Sequence, residues 1–290
     1  MQLIESLNQM RAWSRAERAR GRRIGLVPTM GFLHEGHLRL VDRARERADR
    51  VVMSIFVNPL QFGPGEDFAT YPRDLERDQK LAAERHVDCL FLPDAKAMYP
   101  ADPLVRVHPG AMADGLEGAA RPGHFAGVLT VVAKLFHLVE PDIAVFGRKD
   151  FQQAMLVRRM ADDLNFGLEV DVAPTVRELD GLALSSRNTY LKGDDRRAAL
   201  ALSRALRAVE QAWRSGEADP QALQRRGMQA LMTPGVSPEY LALVDEQMRP
   251  VARVDARTVV VIAARVGTTR LIDNVVLGEG VAGDVSVRAS

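Results

Sequence analysis

The chain of 290 residues carries 39 basic and 38 acidic side chains, is 47% hydrophobic and 27% charged, and contains one cysteine. Such a length buries a sizeable core in one large or two smaller domains, and these fractions exclude a disordered or low-complexity chain. A net charge of +1 supplies no bulk field for nucleic acid or an anionic membrane, and the single Cys89 excludes an intramolecular disulfide framework or a CxxC centre.

Cys89 lies in the apolar run Cys89-Leu90-Phe91-Leu92 and reads as a buried core thiol. No apolar stretch approaches the ~20 residues of a membrane span, and Met1 to Glu5 lacks a basic region followed by an apolar signal core. A cytoplasmic protein is expected. The Arg-rich opening, Arg11 to Arg23, has helical spacing and reads as a solvated helix face rather than a nucleic-acid site.

Ile24 to Val27 is a short apolar run expected to stop at Pro28, and His37 to Asp49 has the spacing of an amphipathic helix. Val51 to Val57 reads as a strand ended by Asn58-Pro59, Leu75 to Arg85 as a helix, and Cys89 to Leu92 as a buried strand. Val128 to Val139 is an apolar helix, Ile143 to Phe146 a strand, Phe151 to Leu164 a helix and Leu168 to Val172 a strand. Short buried strands separated by helices predict a parallel sheet covered on both faces, with ligands beyond the carboxyl ends of the strands.

After about residue 176 the pattern changes. Arg196 to Trp213 and Gln221 to Leu231 read as helices, and Tyr240 to Asp245 and Thr258 to Ala263 as strands of a small antiparallel sheet. The expected architecture is α/β: a Rossmann-like parallel sheet over residues 1–176, with a second, smaller α+β C-terminal domain over residues 177–290.

Four segments carry chemistry. Pro28 to His37 (PTMGFLHEGH) follows the first strand and opens a helix, where Gly31 and Gly36 permit close approach and free N–H groups favour phosphate. His34 and His37, three apart, project to one side, where both can donate to a polyphosphate or, alternatively, merely cap the helix and pack. HEGH is one residue short of the zinc-protease HExxH, and neither GxxxxGK(S/T) nor GxGxxG occurs. Asn58 and Gln61 follow another strand, and their amides suit a small hydroxylated acid, although Asn-Pro is also common turn punctuation. Among the acidic residues that follow, Glu66, Asp67, Asp74, Glu76 and Asp78 read as mostly solvated, with one available to a nucleotide-bound magnesium ion.

Gly147 to Gln153 (GRKDFQQ) again leaves a strand. Lys149 is one of only 5 Lys in an arginine-rich chain, a compact point charge at a sheet end. Asp150 suits ribose hydroxyls or, alternatively, a helix cap. Leu184 to Asn188 (LSSRN) combines hydroxyls with a guanidinium, and also fits a simple turn. Arg121 to Phe125 reads as a turn that starts a helix. Three of these segments leave strand ends expected to share one rim, which points to a nucleotide-dependent enzyme.

PTMGFLHEGH, VNPLQFG with the following YPRD, RPGHFAGV, GRKDFQQ and SSRN, with Gly267 to Asn274 near the end, together resemble the pantothenate synthetase (pantoate–β-alanine ligase) family of the HIGH-motif nucleotidylyltransferase superfamily. The resemblance implies an AMP-forming carbon–nitrogen ligase of pantothenate biosynthesis, usually a homodimer, whose smaller C-terminal domain acts as a lid. Met30, Gly31, Phe32, Leu33, His34, Glu35, Gly36 and His37 would line the ATP site, with His37 the proton donor. Gly147, Arg148, Lys149, Asp150, Val176, Leu184, Ser185, Ser186 and Arg187 would also meet the nucleotide, and Gln61 and Gln153 the pantoate, with Asn58 added as a substrate ligand on the reading of its amide. Arg148 stands where the family usually has Glu or Gln, and Leu184 where it often has Met.

The implied chemistry is attack of the (R)-pantoate carboxylate on the α-phosphorus of ATP, with Mg²⁺ carried by the nucleotide rather than held at a protein metal site. β-Alanine then attacks the pantoyl adenylate and releases AMP. His37, His34 and Lys149 are the catalytic candidates, and Gly181 is a candidate hinge. The competing readings are an adenylyltransferase acting on a phosphorylated acceptor and a nucleotide-binding module without turnover.

Overall fold

The apolar runs of the first half pair side by side. In the computed structural model, which describes residues 1–287, they form β1 (Gln2–Ile4), β2 (Ile24–Thr29), β3 (Arg50–Ile55), β4 (Cys89–Phe91), β5 (Ile143–Gly147) and β6 (Glu169–Ala173). All pairings are parallel, in the spatial order β1-β4-β3-β2-β5-β6. The helices among them are α1 (Leu7–Ala19), α2 (Glu35–Arg45), α3 (Leu75–Glu84), α4 (Ala95–Met98), α5 (Glu117–Ala120), α6 (His124–Val139) and α7 (Phe151–Asp163). The chain winds outward from β2 through β3 to β4, then returns to place β5 and β6 on the other side. The strand order therefore reverses between β2 and β5, where open α/β sheets bind ligands.

β2 does not stop at Pro28. Arg23 and Thr29 carbonyls accept from Arg50 and Phe56 of the β3 side, whereas the Ile24 carbonyl accepts from Asp142 on the β5 side. By alternation Pro28 faces β5, and having no N–H it cannot extend that ladder. Pairing to β3 runs on to Thr29↔Ile55, while pairing to β5 ends at Leu26↔Ala144. The strands thus part at the switch point.

Val27, Leu33, Val41, Ala44, Met53, Leu90, Ile143 and Val145 share one buried core cluster. Cys89 is buried as expected, and burial pushes its thiol up to about 12. The opening helix is anchored by ion pairs: Arg20, Arg22 and Arg50 surround the buried Glu17, and Arg18 reaches Asp142. α6 begins at His124, four residues before its apolar stretch, after a left-handed Gly123.

Arg148–Phe151 and the chain from Pro174 onward make a second unit. It contains β7 (Val176–Glu178), β8 (Val236–Val244), β9 (Val259–Val266), β10 (Thr269–Val276) and β11 (Val285–Val287), with helices α8 (Gly193–Ala198), α9 (Leu200–Arg214) and α10 (Pro220–Leu231). β10-β9-β8 is an antiparallel sheet packed with α9 and α10 around Leu202, Leu206, Val209, Leu223, Leu241 and Ile262; β7 pairs with β11 in parallel. The single helix expected over Arg196 to Trp213 is two, α8 ending at Ala198.

Arg177 organises this unit. Its side chain is 1% exposed and all five N–H groups donate: Nε to Asp284, Nη1 to Asp273 and the Gly181 carbonyl, Nη2 to Asp273 and the Asn274 carbonyl. Gly181 accordingly sits in a pinned turn inside the second unit, closed by Gly181 N–H to the Glu178 carbonyl. Arg177→Met is expected to destabilise the protein by about 3–5 kcal/mol, because it leaves Asp273 and Asp284 buried without that partner. Urea unfolding followed by far-UV circular dichroism measures this, and adding Asp273→Asn should recover part of the loss. An unchanged midpoint for Arg177→Met would remove the guanidinium from the stability of the unit.

Candidate active site

The candidate residues divide between the two units. In the first, the β2–α2 connection is fixed by its own hydrogen bonds. Thr29 Oγ1 donates to the Ser54 carbonyl and accepts from Gly31 N–H at 3.1 Å. Gly31 is left-handed at φ 83°, and a Cβ there would fall 2.8 Å from Ile55 Cγ2. Phe32 is also left-handed, at φ 51°, and the N–H groups of Phe32 and Leu33 each donate to the Asp78 carboxylate at 2.7 Å. Asp78 is therefore not solvated, nor is it disposed toward a metal. It is 1% exposed, and burial pushes its carboxyl up against the opposing pull of those two N–H groups.

His34 caps α2 through Nδ1, which accepts from Gly36 N–H at 3.1 Å, and His37 Nδ1 accepts from His34 N–H at 3.3 Å. The rings lie 4.0 Å apart, centroid to centroid. A nitrogen that accepts from a backbone N–H carries no proton, so each neutral ring holds its proton on Nε2. Of the seven backbone N–H groups from Gly31 to His37, six donate within the protein. The expectation of free helix N–H groups for phosphate is thus corrected: nearly all of them are engaged within the protein. Glu35 turns to Arg85 and Arg39.

Beyond β3, Asn58 is buried and fully engaged. Its Nδ2 donates to Gln61 Oε1 and the Gly127 carbonyl, and its Oδ1 accepts from Leu60 N–H and Tyr99 Oη. All four of its hydrogen-bonding positions are occupied, so Asn58 supports Gln61 and has nothing over for a substrate. Gln61 Nε2 also donates to Met30 Sδ at 3.3 Å, which leaves that amide a further donor and acceptor.

The RPGHFAG segment is the seat of Gln61. A Cβ at Gly127 would lie 2.2 Å from the Leu60 carbonyl oxygen, so only glycine lets α6 meet this backbone. His124 Nδ1 donates to the Gln61 carbonyl at 2.8 Å, and its Nε2 meets Arg121 Nη1 at 3.0 Å. Arg121 also donates to that carbonyl and forks onto Glu66. Burial, with the neighbouring Arg121 charge, lowers the His124 imidazole to about 4, so it is neutral near pH 7. Burial alone would raise Glu66, but Arg121 outweighs it and holds the carboxyl low. On α7, Gln152 anchors the 112–117 loop, donating to the Met112 and Gly115 carbonyls and accepting from Glu117 N–H. Gln153 is half-buried, and its side chain makes no hydrogen bond to the described residues.

Gly147 ends β5, on the same rim as the connections after β2 and β3. In the second unit, Asn274 Nδ2 donates to the Arg148 and Lys149 carbonyls at 2.8 and 2.9 Å. Arg148 is buried, paired with Glu279 and at 2.7 Å with Asp284. Lys149 is 19% exposed, its Nζ 3.7 Å from Asp150. Val176 of β7 is buried, and its carbonyl accepts from Leu184 N–H. Ser185 caps the turn that follows, accepting from Arg187 N–H, with Ser186 buried behind it. Among the described residues no group of three His, Cys, Asp or Glu is placed to hold a metal ion.

Tyr99 and Gly127 are not among the residues singled out from the sequence, Asp78 reads there as mostly solvated or available to magnesium, and Arg121 and His124 read only as part of a helix-starting turn. Asp78 gave no signal beyond helical charge, whereas RPGHFAG carried a legible one in its glycine and histidine three apart.

The family model described as pantoate-β-alanine ligase matches residues 2–276. The pantothenate synthetase of Heliobacterium modesticaldum is 52% identical over 96% of this chain and 99% of its own, and that of Moorella thermoacetica 51% over the same shares. The crystal structure of pantothenate synthetase from Thermus thermophilus matches with a TM-score of 0.91 at 48% identity, covering 96% of this chain and 99% of that one. A pantoate-β-alanine ligase from Francisella tularensis, complexed with β-γ ATP and β-alanine, matches with a TM-score of 0.80 at 34% identity, covering 97% and 99%.

His124 makes a pH dependence. With its imidazole lowered from 6.5 to about 4 on folding, the neutral ring is favoured in the native state. The stability it contributes is full above pH 6.5 and is lost as pH falls toward 4. His124→Asn, whose amide can still donate to the Gln61 carbonyl, should flatten this slope. Urea midpoints of both proteins from about pH 7 to about pH 4 give the comparison, and parallel slopes would count against it.

Proposed function

The chain belongs to the pantoate–β-alanine ligase family, and from that premise we propose how its own residues carry the reaction. The enzyme joins (R)-pantoate to β-alanine with consumption of ATP, through a pantoyl adenylate, and releases AMP and pyrophosphate. A carboxylate does not react with an amine unaided. Attack on the α-phosphorus converts it to an acyl phosphate ester whose leaving group is AMP, and the β-alanine amine then displaces that group. No protein nucleophile is required, so the protein's contribution is positioning and charge stabilisation.

The observation that carries the assignment is the pair of imidazoles whose Nδ1 atoms are held by backbone N–H groups. Their Nε2 protons are the donors for the β- and γ-phosphates and for charge that develops on departing pyrophosphate. His37 acts as the proton donor and His34 as its partner. Gln61, with Gln153, orients pantoate; Asn58 keeps Gln61 in place. Lys149, Ser185, Ser186 and Arg187 neutralise phosphate charge, and Asp150 receives the ribose. Met30, the 31–37 backbone, Gly147, Val176 and Leu184 complete the nucleotide surface. Mg²⁺ enters as part of MgATP. The second unit serves as the lid that keeps water from the adenylate. No helix among the described residues is long and apolar enough to cross a membrane, and the proposal includes a cytoplasmic homodimer, which light scattering tests through a mass twice that of the chain.

Protein supplied with Mg²⁺, ATP and pantoate should exchange labelled pyrophosphate into ATP with β-alanine absent, and β-alanine should then release AMP and pantothenate in equal amounts. Release of ADP and phosphate instead would overturn the adenylate route. Gln61→Ala should mainly raise the pantoate KM, whereas His37→Ala should lower kcat by about 10²-fold or more, as for loss of a transition-state donor. His34→Asn, which retains an acceptor for Gly36 N–H but lacks the outward donor, should lose rate without losing thermal stability. Lys149→Ala should depress exchange and ligation together.

A further inference from the structure

Two successive N–H groups around a left-handed residue form a concavity that binds anions. At Phe32 and Leu33 that concavity is already filled from within, by the Asp78 carboxylate with one oxygen on each N–H at 2.7 Å. Asp78 lies on the buried side of α3, where an apolar residue would pack without the cost of taking a carboxylate out of water. Its neighbour reinforces the same loop: Arg77 donates to the Leu33 carbonyl at 2.8 Å and its guanidinium stands 5.5 Å over the Phe32 ring. Gly31 closes the arrangement, since a Cβ there would lie 3.0 Å from the same carboxylate. Leu33 directly precedes His34, the residue that caps α2 and whose N–H holds His37 Nδ1.

We infer that Asp78 is a positioning residue for the two histidines, an internal anion that fixes where α2 begins and hence where both Nε2 protons point. It touches neither substrate nor nucleotide and acts only through the Phe32–Leu33 backbone. The inference rests on the assignment of His34 and His37 as the phosphate donors. Wild-type pyrophosphate exchange reports on that assignment, and only the ratio of variant to wild type reports on Asp78.

Asp78→Ala removes the carboxylate and leaves room for a small anion, whereas Asp78→Asn fills the same space and turns an NH₂ group toward one of the two N–H donors. At a temperature where thermal melting shows both variants folded, each should lose about 10²-fold in exchange kcat, the order expected for a catalytic group displaced by an ångström. The pantoate KM should stay unchanged, since Gln61 is held by other residues. Added formate should restore part of the rate in Asp78→Ala and none in Asp78→Asn. A role confined to stability would instead lower the melting temperature and leave kcat per folded molecule intact. Wild-type kcat in either folded variant, no response of Asp78→Ala to formate, or an equal response of both variants would each overturn the inference.

Discussion

A missing hydrogen bond sets the geometry of the first unit. Residue 28 faces β5 and is proline, so β2 has no N–H to continue that ladder and the two strands separate after Leu26. The gap opens where the strand order reverses, and the connections after β2 and β3 leave the sheet on its rim. In a parallel sheet buried on both faces the backbone is otherwise fully paired, so an opening needs such a local exception.

The loop beside the gap shows how the protein divides labour between backbone and side chain. Helix N-termini commonly bind anions through free N–H groups. Here Asp78, Thr29 and the two histidines take nearly all of those donors for the fold itself. Recognition of phosphate by the far edge of each imidazole belongs to the proposed function. The capping contacts use Nδ1 of each ring, so a structural role for these histidines does not preclude the proposed one at Nε2. Gln61 follows the same logic, with Asn58, His124 and Arg121 holding it so that part of its amide stays available.

In the second unit two buried arginines share Asp284, with Asp273 also on Arg177 and Glu279 also on Arg148. The buried Arg148 is accounted for by Glu279 and Asp284. Its side chain turns into this network while Asn274 grips its carbonyl and that of Lys149. The charge of residue 148 belongs to the fold of the second unit, and Lys149 keeps its own position beside Asp150.

Short buried strands, intervening helices and the change of pattern near residue 176 were legible from the sequence, because apolar periodicity reports burial directly. The histidine pair and Gln61 were singled out from the sequence as candidates, since glycine, histidine and amide residues at strand ends have few purely structural uses. Pro28 was read only as a stop, because a sequence does not tell which neighbour a strand residue faces. Asp78 read as mostly solvated, Arg177 carried no motif, and Asn58 read as a substrate ligand or turn punctuation. Their roles depend on which backbone groups stand opposite them, and those groups lie far along the chain: Asp78 meets residues 32 and 33, and Arg177 meets residues 273 and 284. Local pattern determined the elements and the chemistry on offer. Only the tertiary structure decided which polar groups are engaged within the fold, because a donor hydrogen or lone pair already used within the protein is not left for a substrate.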